Sequence, residues 1–209
     1  MMRVLDEWAP GALFPFYRLD QMMAKQQQVV IVGGGVIGLL TAFNLATEGQ
    51  AVVLLERSGL GQESSWAGGG IVSPLYPWRY SPAVTALAHW SQDFYPQLAE
   101  RLFAATGVDP EVHTTGLYWL DLEDEAQALA WAAREGRPLS KVDVSAAHDA
   151  VPVLGGGYSQ AIYMANVANV RNPRLVKSLK AALLALPGVT LHEPVSYTHL
   201  RAHETKANL

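Results

Sequence analysis

Residues 29–58 read VVIVGGGVIGLLTAFNLATEGQAVVLLERS, and this stretch decides the fold. A β-branched run from Val29 to Val32 meets a glycine turn, an apolar helix runs from Val36 to Glu48, and after Gly49 a second strand, AVVLLE, occupies 51–56. Strand, helix and strand in so short a span predict a βαβ unit that opens a parallel sheet. Gly33, Gly35 and Gly38 take the spacing G-x-G-x-x-G directly after the strand and at the start of the helix. There, glycines let the backbone turn sharply, approach a pyrophosphate and pack helix on strand. The helix start adds N–H groups and the positive end of its dipole. Glu56 closes the second strand roughly 20 residues beyond Gly35, where a carboxylate accepts hydrogen bonds from ribose hydroxyls. A turn used only for packing, followed by a solvated Glu, would not require all three features in this order.

A carboxylate at position 56 repels a 2′-phosphate and disfavours NADP, but leaves NAD and FAD open. The segment Ser64-Ser65-Trp66-Ala67-Gly68-Gly69-Gly70 is a second loop of small residues, able to bring backbone N–H groups and hydroxyls against a large flat ligand. Two such cradles fit a long cofactor. Taken together, QVVIVGGGVIGLLTAFNLATEG, LLERS and ESSWAGGGIVSPLYPWRYSPAVTALAHWS resemble the D-amino-acid oxidase superfamily, and within it the glycine oxidases of thiamine biosynthesis. The likeness runs from about Val29 to about Pro194.

The resemblance implies an α/β fold, a Rossmann-like FAD-binding domain with an inserted α+β substrate domain, incomplete at its C-terminus. It implies FAD held by Gly33, Gly35, Val36, Ile37 and Gly38 at the pyrophosphate. Glu56 and Arg57 would lie near the ribose and adenine, and Ser64, Ser65, Gly68, Gly69 and Gly70 nearer the flavin. The implied reaction moves a hydride from the α-carbon of glycine, sarcosine or a small D-amino acid to the flavin. The resulting imine hydrolyses to a 2-oxo acid and ammonia, and oxygen leaves as hydrogen peroxide; the full enzyme would be a homo-oligomer. The alternatives are a D-amino-acid dehydrogenase that passes electrons to a carrier, and a truncated FAD-binding piece without turnover.

Catalytic residues are not identified in this chain. Such oxidases hold the substrate carboxylate with an arginine, whose planar fork matches it, and the resemblance puts that arginine in the C-terminal half of the enzyme. Arg79 and Arg171 are better read as surface or loop-stabilising residues. His89 and His113 could serve as bases, yet a lone His in an apolar element is usually structural. Trp66, Trp78 and the pair Tyr118 and Trp119 are expected to be core aromatics, with strand alternation burying one of that pair.

Composition narrows the rest. Half of the 209 residues are hydrophobic, and 15 basic against 19 acidic side chains give a net charge of −4, with no basic block for nucleic acid or an anionic membrane. The absence of cysteine excludes disulfides, thiolate metal sites and thiol nucleophiles, so no metal is expected and a reducing cytoplasm is the natural setting. Val29 to Thr47 is uncharged and nearly long enough to span a bilayer, but its glycine cluster and Asn44 mark it as strand plus helix.

Along the chain, residues 1–28 read as an N-terminal extension. A second start signal, Met22-Met23, stands close before the first strand, and residues 1–22 are expected to be an upstream over-read. Residues 29–82 are expected to form the first part of the FAD-binding domain and 83–170 the first part of the substrate domain. Within the latter lie an amphipathic helix from about Ala83 to Ala105, carrying Leu87, Trp90, Phe94, Leu98 and Leu102, then strand HTTGLYWLDL, helix EDEAQALAWAAREG and strand YSQAIYMA. Residues 171–194 return to the first domain through a helix beginning at Asn172-Pro173 and the strand VTLHEPV. The tail 195–209 breaks the pattern. VSYTHLRAHET can be encoded by DNA resembling a transposon-end sequencing adapter, so the tail is expected to be adapter-derived and the chain inactive alone. His199 and His203 are four apart, as in a zinc pair, but no third ligand is evident.

Overall fold

In the computed structural model, strand β1 (Val29–Val32), helix α1 (Val36–Thr47) and strand β2 (Val52–Leu55) make the expected βαβ unit. The strands run parallel with Val29 beside Val52 and Val32 beside Leu55. The structure describes residues 28–194; the expected over-read and the expected adapter-derived tail lie outside the described residues.

After β2 come a single helical turn α2 (Ser64–Ala67), strand β3 (Ile71–Val72) and helix α3 (Pro82–Thr106). The chain continues through β4 (His113–Thr114), β5 (Leu117–Leu120), α4 (Glu125–Glu135), β6 (Leu139–Val142), α5 (Val144–Ala150), β7 (Ala161–Met164) and β8 (Ala168–Asn169). Helix α6 (Asn172–Ala185) and strand β9 (Val189–His192) end it. Three sheets result. The first, β1-β2-β9, is parallel; β5-β7-β6 and the small β3-β8-β4 are antiparallel.

Helices α1 and α6 cover one face of the parallel sheet. Val52 and Leu54 point into that layer with Leu39, Phe43, Leu175, Leu179 and Leu183, and Ile31 and Leu191 flank them. Val30 and Val32 point the other way and are exposed. A second core, around Trp78, Trp119, Trp131, Ile162 and Met164, belongs to the β5-β7-β6 sheet and α4. Among the described residues, no helix is long and apolar enough to cross a membrane.

Two expectations change. HTTGLYWLDL is not one strand: Gly116 adopts φ +73° and divides it, sending β4 and β5 to different sheets. The stripe on α3 is buried only towards its end. Leu98 and Leu102 are fully enclosed, whereas Leu87 is 68% and Trp90 61% exposed. Spacing tells which side chains share a helix face, not what covers that face. The core shared with α6 takes in Leu98 and Leu102 and ends short of Leu87 and Trp90.

The 3₁₀ turn at Pro77–Arg79 is pinned to the second core by Asp124. Its Oδ2 accepts from Trp78 Nε1 at 2.7 Å and Arg79 Nε at 2.8 Å, and Arg79 Nη2 donates to Oδ1 at 2.9 Å. Arg79 thus has the stabilising role expected of it. Its guanidinium, hydrogen-bonded to Asp124, holds that carboxyl down to about 2. A carboxyl whose pKa is depressed on folding stabilises the folded state above its ordinary pKa and loses that contribution as pH falls through the depressed value. We therefore expect the stability gap between wild type and Asp124→Asn to be constant above about pH 4 and to shrink between about pH 4 and pH 2. Denaturant midpoints across that range test this; a gap independent of pH would refute the assignment.

Candidate cofactor site

The site begins where β1 turns into α1. Gly33 has φ +107°, a conformation glycine reaches without a Cβ penalty. A Cβ on Gly38 would fall 1.9 Å from the Gly33 carbonyl oxygen, so the first turn of α1 lies directly on the end of β1. Gly34, one of the unspecified positions of the motif, is enclosed by side chains rather than backbone. Its Cβ would lie 2.3 Å from Leu60 Cδ2 and 3.0 Å from Glu56 Cβ.

Glu56 is only 7% exposed. Its Oε2 accepts from Gly34 N at 2.6 Å and its Oε1 from Ser58 N at 2.8 Å. A carboxylate has about four acceptor directions, so this clamp leaves capacity for ribose hydroxyls. Arg57 instead pairs with Glu63 at 2.8 Å on the surface, a contact of small energetic weight.

A cavity of about 580 Å³ opens beside the start of α1. It is lined by Val36 and the second loop through Ser64, Ser65, Gly68, Gly69 and Gly70, by α3 through Ser91 and Tyr95, and around the start of α6 by Val170, Asn172, Leu175 and Val176. Val36 N donates to Ser65 Oγ at 2.8 Å. That bond fastens the second small-residue loop to the N-terminus of α1. Burial pushes the Tyr95 hydroxyl up from its ordinary pKa, so it keeps its proton at neutral pH.

The glycines of the second loop differ in cause. Gly70 has φ +74°, and its Cβ would come 2.2 Å from the Val170 carbonyl oxygen. A Cβ at Gly68 would meet Asn172 Nδ2 at 2.7 Å, but at Gly69 it would meet nothing within 4 Å. The backbone therefore requires glycine at 70, whereas a Cβ at 68 would displace only the Asn172 amide and one at 69 would enter open space. A flat group could lie against that open face while phosphates reach the start of α1, so the residues fit a dinucleotide with a bulky ring system.

Of the expected ligand residues, the structure gathers Val36, Ser64, Ser65, Gly68, Gly69 and Gly70 around one cavity. Gly33, Gly35 and Gly38 shape the turn behind Val36, and Glu56 is bound to that turn through Gly34. Ile37 projects outward, 75% exposed, which leaves its backbone as the part available at the helix start. Trp66, expected in the core, is 54% exposed, because α2 is one turn long and buries none of its side chains. Trp78 and Trp119 are buried. Trp119 Nε1 donates to the Leu75 carbonyl at 2.9 Å, while Tyr118 lies half-buried against Tyr163.

The other candidates stand outside the cavity. His89 lies near Trp131 with ring centres 6.1 Å apart, and burial, then the charge of Arg137, lowers its pKa. His113 is exposed on β4. Arg171 pairs with Glu111 at 3.2 Å. Gly34, Ser91, Tyr95 and Asn172 were not singled out as site residues. For Gly34 the GGG run itself was a signal.

Comparison with known proteins decides the family. The model of the DAO family, FAD dependent oxidoreductase, matches residues 28–208. The chain belongs to this family. It is 80% identical over 172 residues to a glycine oxidase of Pseudomonas putida, covering 82% of this chain and 47% of that protein. A glycine oxidase of Pseudomonas aeruginosa is 64% identical over 167 residues, covering 80% and 46%. The crystal structure of glycine oxidase from Geobacillus kaustophilus superposes with a TM-score of 0.71 at 30% identity, covering 79% of this chain and 46% of that one. The chain thus spans about half the length of the relatives it matches. The parallel unit around α1 is the FAD-binding Rossmann-like domain of the DAO family, and FAD is the cofactor.

The contrast between the loop glycines gives a paired expectation. Gly70→Ala must adopt a left-handed conformation against the Val170 carbonyl and should destabilise the protein by at least about 1–2 kcal/mol. Gly69→Ala should stay within about 1 kcal/mol of wild type. Thermal melting of the two apo variants measures this; equal losses would refute the geometric distinction.

Proposed function

We propose that the full gene product is an FAD-dependent amino-acid oxidase. It oxidises the carbon–nitrogen bond of glycine, sarcosine or a small D-amino acid to an imine, which water hydrolyses to a 2-oxo acid and ammonia, or methylamine from sarcosine, while oxygen is reduced to hydrogen peroxide. The product would feed thiazole formation for thiamine, and the enzyme would work as a homo-oligomer. The observation that supports this best is the bond from Val36 N to Ser65 Oγ, which unites two small-residue loops around one cavity. A nucleotide-only site would need the first loop alone.

When bound, FAD accepts the electron pair of the substrate carbon–hydrogen bond and returns it to oxygen. The start of α1 would hold the pyrophosphate through its N–H groups and dipole. Gly33 and Gly35 allow close approach, with Gly38 seating the helix on the strand. Glu56 would accept from the ribose, with Arg57 beside it at the adenine end. Ser64, Ser65 and the Gly68–Gly70 turn would flank the flavin, and the apolar lining from Ile71, Val72 and Leu175 would exclude water from one side.

The full gene product should carry a flavin spectrum, lose its long-wavelength band on anaerobic addition of glycine, and produce peroxide on readmission of air. Bleaching without peroxide would indicate a dehydrogenase that uses an electron carrier. Absence of flavin after reconstitution would overturn the site assignment. Gly69→Ala, which the chain itself tolerates, should bind FAD on the order of tenfold more weakly, about 1.4 kcal/mol, by fluorescence titration.

A further inference from the structure

The β8–α6 junction touches the second loop at two of its glycines, Gly68 and Gly70, and α6 itself touches Gly61 just before that loop. A Cβ at Gly61 would strike the Val176 side chain at 2.5 Å, one at Gly68 would meet Asn172, and one at Gly70 would meet Val170. Two of these contacts are also bonded. Val170 N donates to the Gly70 carbonyl at 2.8 Å, and Asn172 Nδ2 donates to the Gly68 carbonyl at 2.8 Å across 104 residues of sequence. Asn172 is the first residue of α6 and lines the cavity.

We propose that Asn172 is a positioning residue for the flavin: its side-chain amide sets the orientation of the Gly68–Gly69 peptide and thereby the face that the loop offers to the cofactor. This rests on the FAD reading above. A trans peptide points its C=O and N–H in opposite directions. Drawing the Gly68 carbonyl towards α6 therefore turns the Gly69 N–H away from α6, at the residue whose Cβ position opens on unfilled space. Without the amide, the peptide is free to rotate, since glycine on both sides removes the usual steric restraint.

The competing role is purely structural, a polar side chain that supports the start of α6. Asn172→Asp separates the two. It keeps a side-chain acceptor and adds a charge favoured at a helix N-terminus, but it removes the donor and sets a carboxylate against the Gly68 carbonyl. The experiment measures FAD affinity, the visible circular dichroism of bound flavin and apo melting temperature for wild type, Asn172→Asp and Asn172→Ala in the full gene product. The expected result is FAD binding on the order of tenfold weaker in both variants, with altered flavin dichroism and an Asn172→Asp apo protein melting within about 2 °C of wild type. Unchanged affinity in Asn172→Asp would overturn the proposal. So would a weakened Asn172→Asp whose apo melting temperature falls by more than that, since the loss would then be one of folding. Failure of the wild-type protein to bind FAD would instead strike the function proposed above.

Discussion

The Glu56 carboxylate is the constraint on which the proposed site depends. It is buried at the end of β2 and satisfied by two backbone N–H groups, one from the turn after β1 and one from the turn after β2. A buried charge without partners would be costly, so the two turns cannot separate without exposing or orphaning it. Leu60 fills the space above Gly34, and its N–H donates to Glu193 Oε2 at 2.7 Å. Glu193 follows β9 and is also bonded to Lys180 of α6. The ends of all three parallel strands are thereby tied to one loop, and that loop leads directly into Ser64.

This arrangement accounts for the side of the sheet on which the cavity lies. In parallel α/β sheets, ligands gather outside the carboxyl ends of the strands, where helix N-termini converge. Here both α1 and α6 begin at that end, and Val36 and Asn172, their first residues, line the same cavity. Two positive helix ends near one volume favour an anion. The opposite face of β1 tells a different story: VVIV is continuously apolar, as strands covered on both faces are, yet the described residues cover only the Ile31 side.

The βαβ unit was legible because three signals agreed within 30 residues: a β-branched run, a glycine turn with helical apolar spacing, and a strand-end carboxylate. Helix α6 was legible for the same reason, with Asn172-Pro173 at its start and Leu175, Val176, Leu179 and Leu183 on its buried face. The short strands were not. β3, β4 and β8 are two residues long, too short for any alternation to register, and their pairing depends on partners distant in sequence, Ile71 beside Asn169 and His113 beside Asn169. Trp66 misled because an aromatic predicts burial only where an element exists to bury it. Asn172 went unnoticed as a site residue because its partner is a backbone carbonyl, which no side-chain pattern records.

The part of the cavity lining that Val170 and Asn172 supply matters most for how binding and folding are coupled. Val170 and Asn172 reach the Gly68–Gly70 loop only after the chain has traversed the second sheet, and β8 must pair with β3 to bring them there, Asn169 beside Ile71. A ligand that binds only this assembled form stabilises it by RT ln(1 + [L]/Kd), about 2.7 kcal/mol at a hundredfold excess over Kd. That stabilisation is distributed over every segment that must be in place, from residue 36 to residue 176. At the proposed site, cofactor binding would therefore act as a long-range staple between the parallel sheet and the returning chain. A loop held in this way can remain glycine-rich, because the contacts of the folded state and the ligand, rather than local backbone preference, select its conformation.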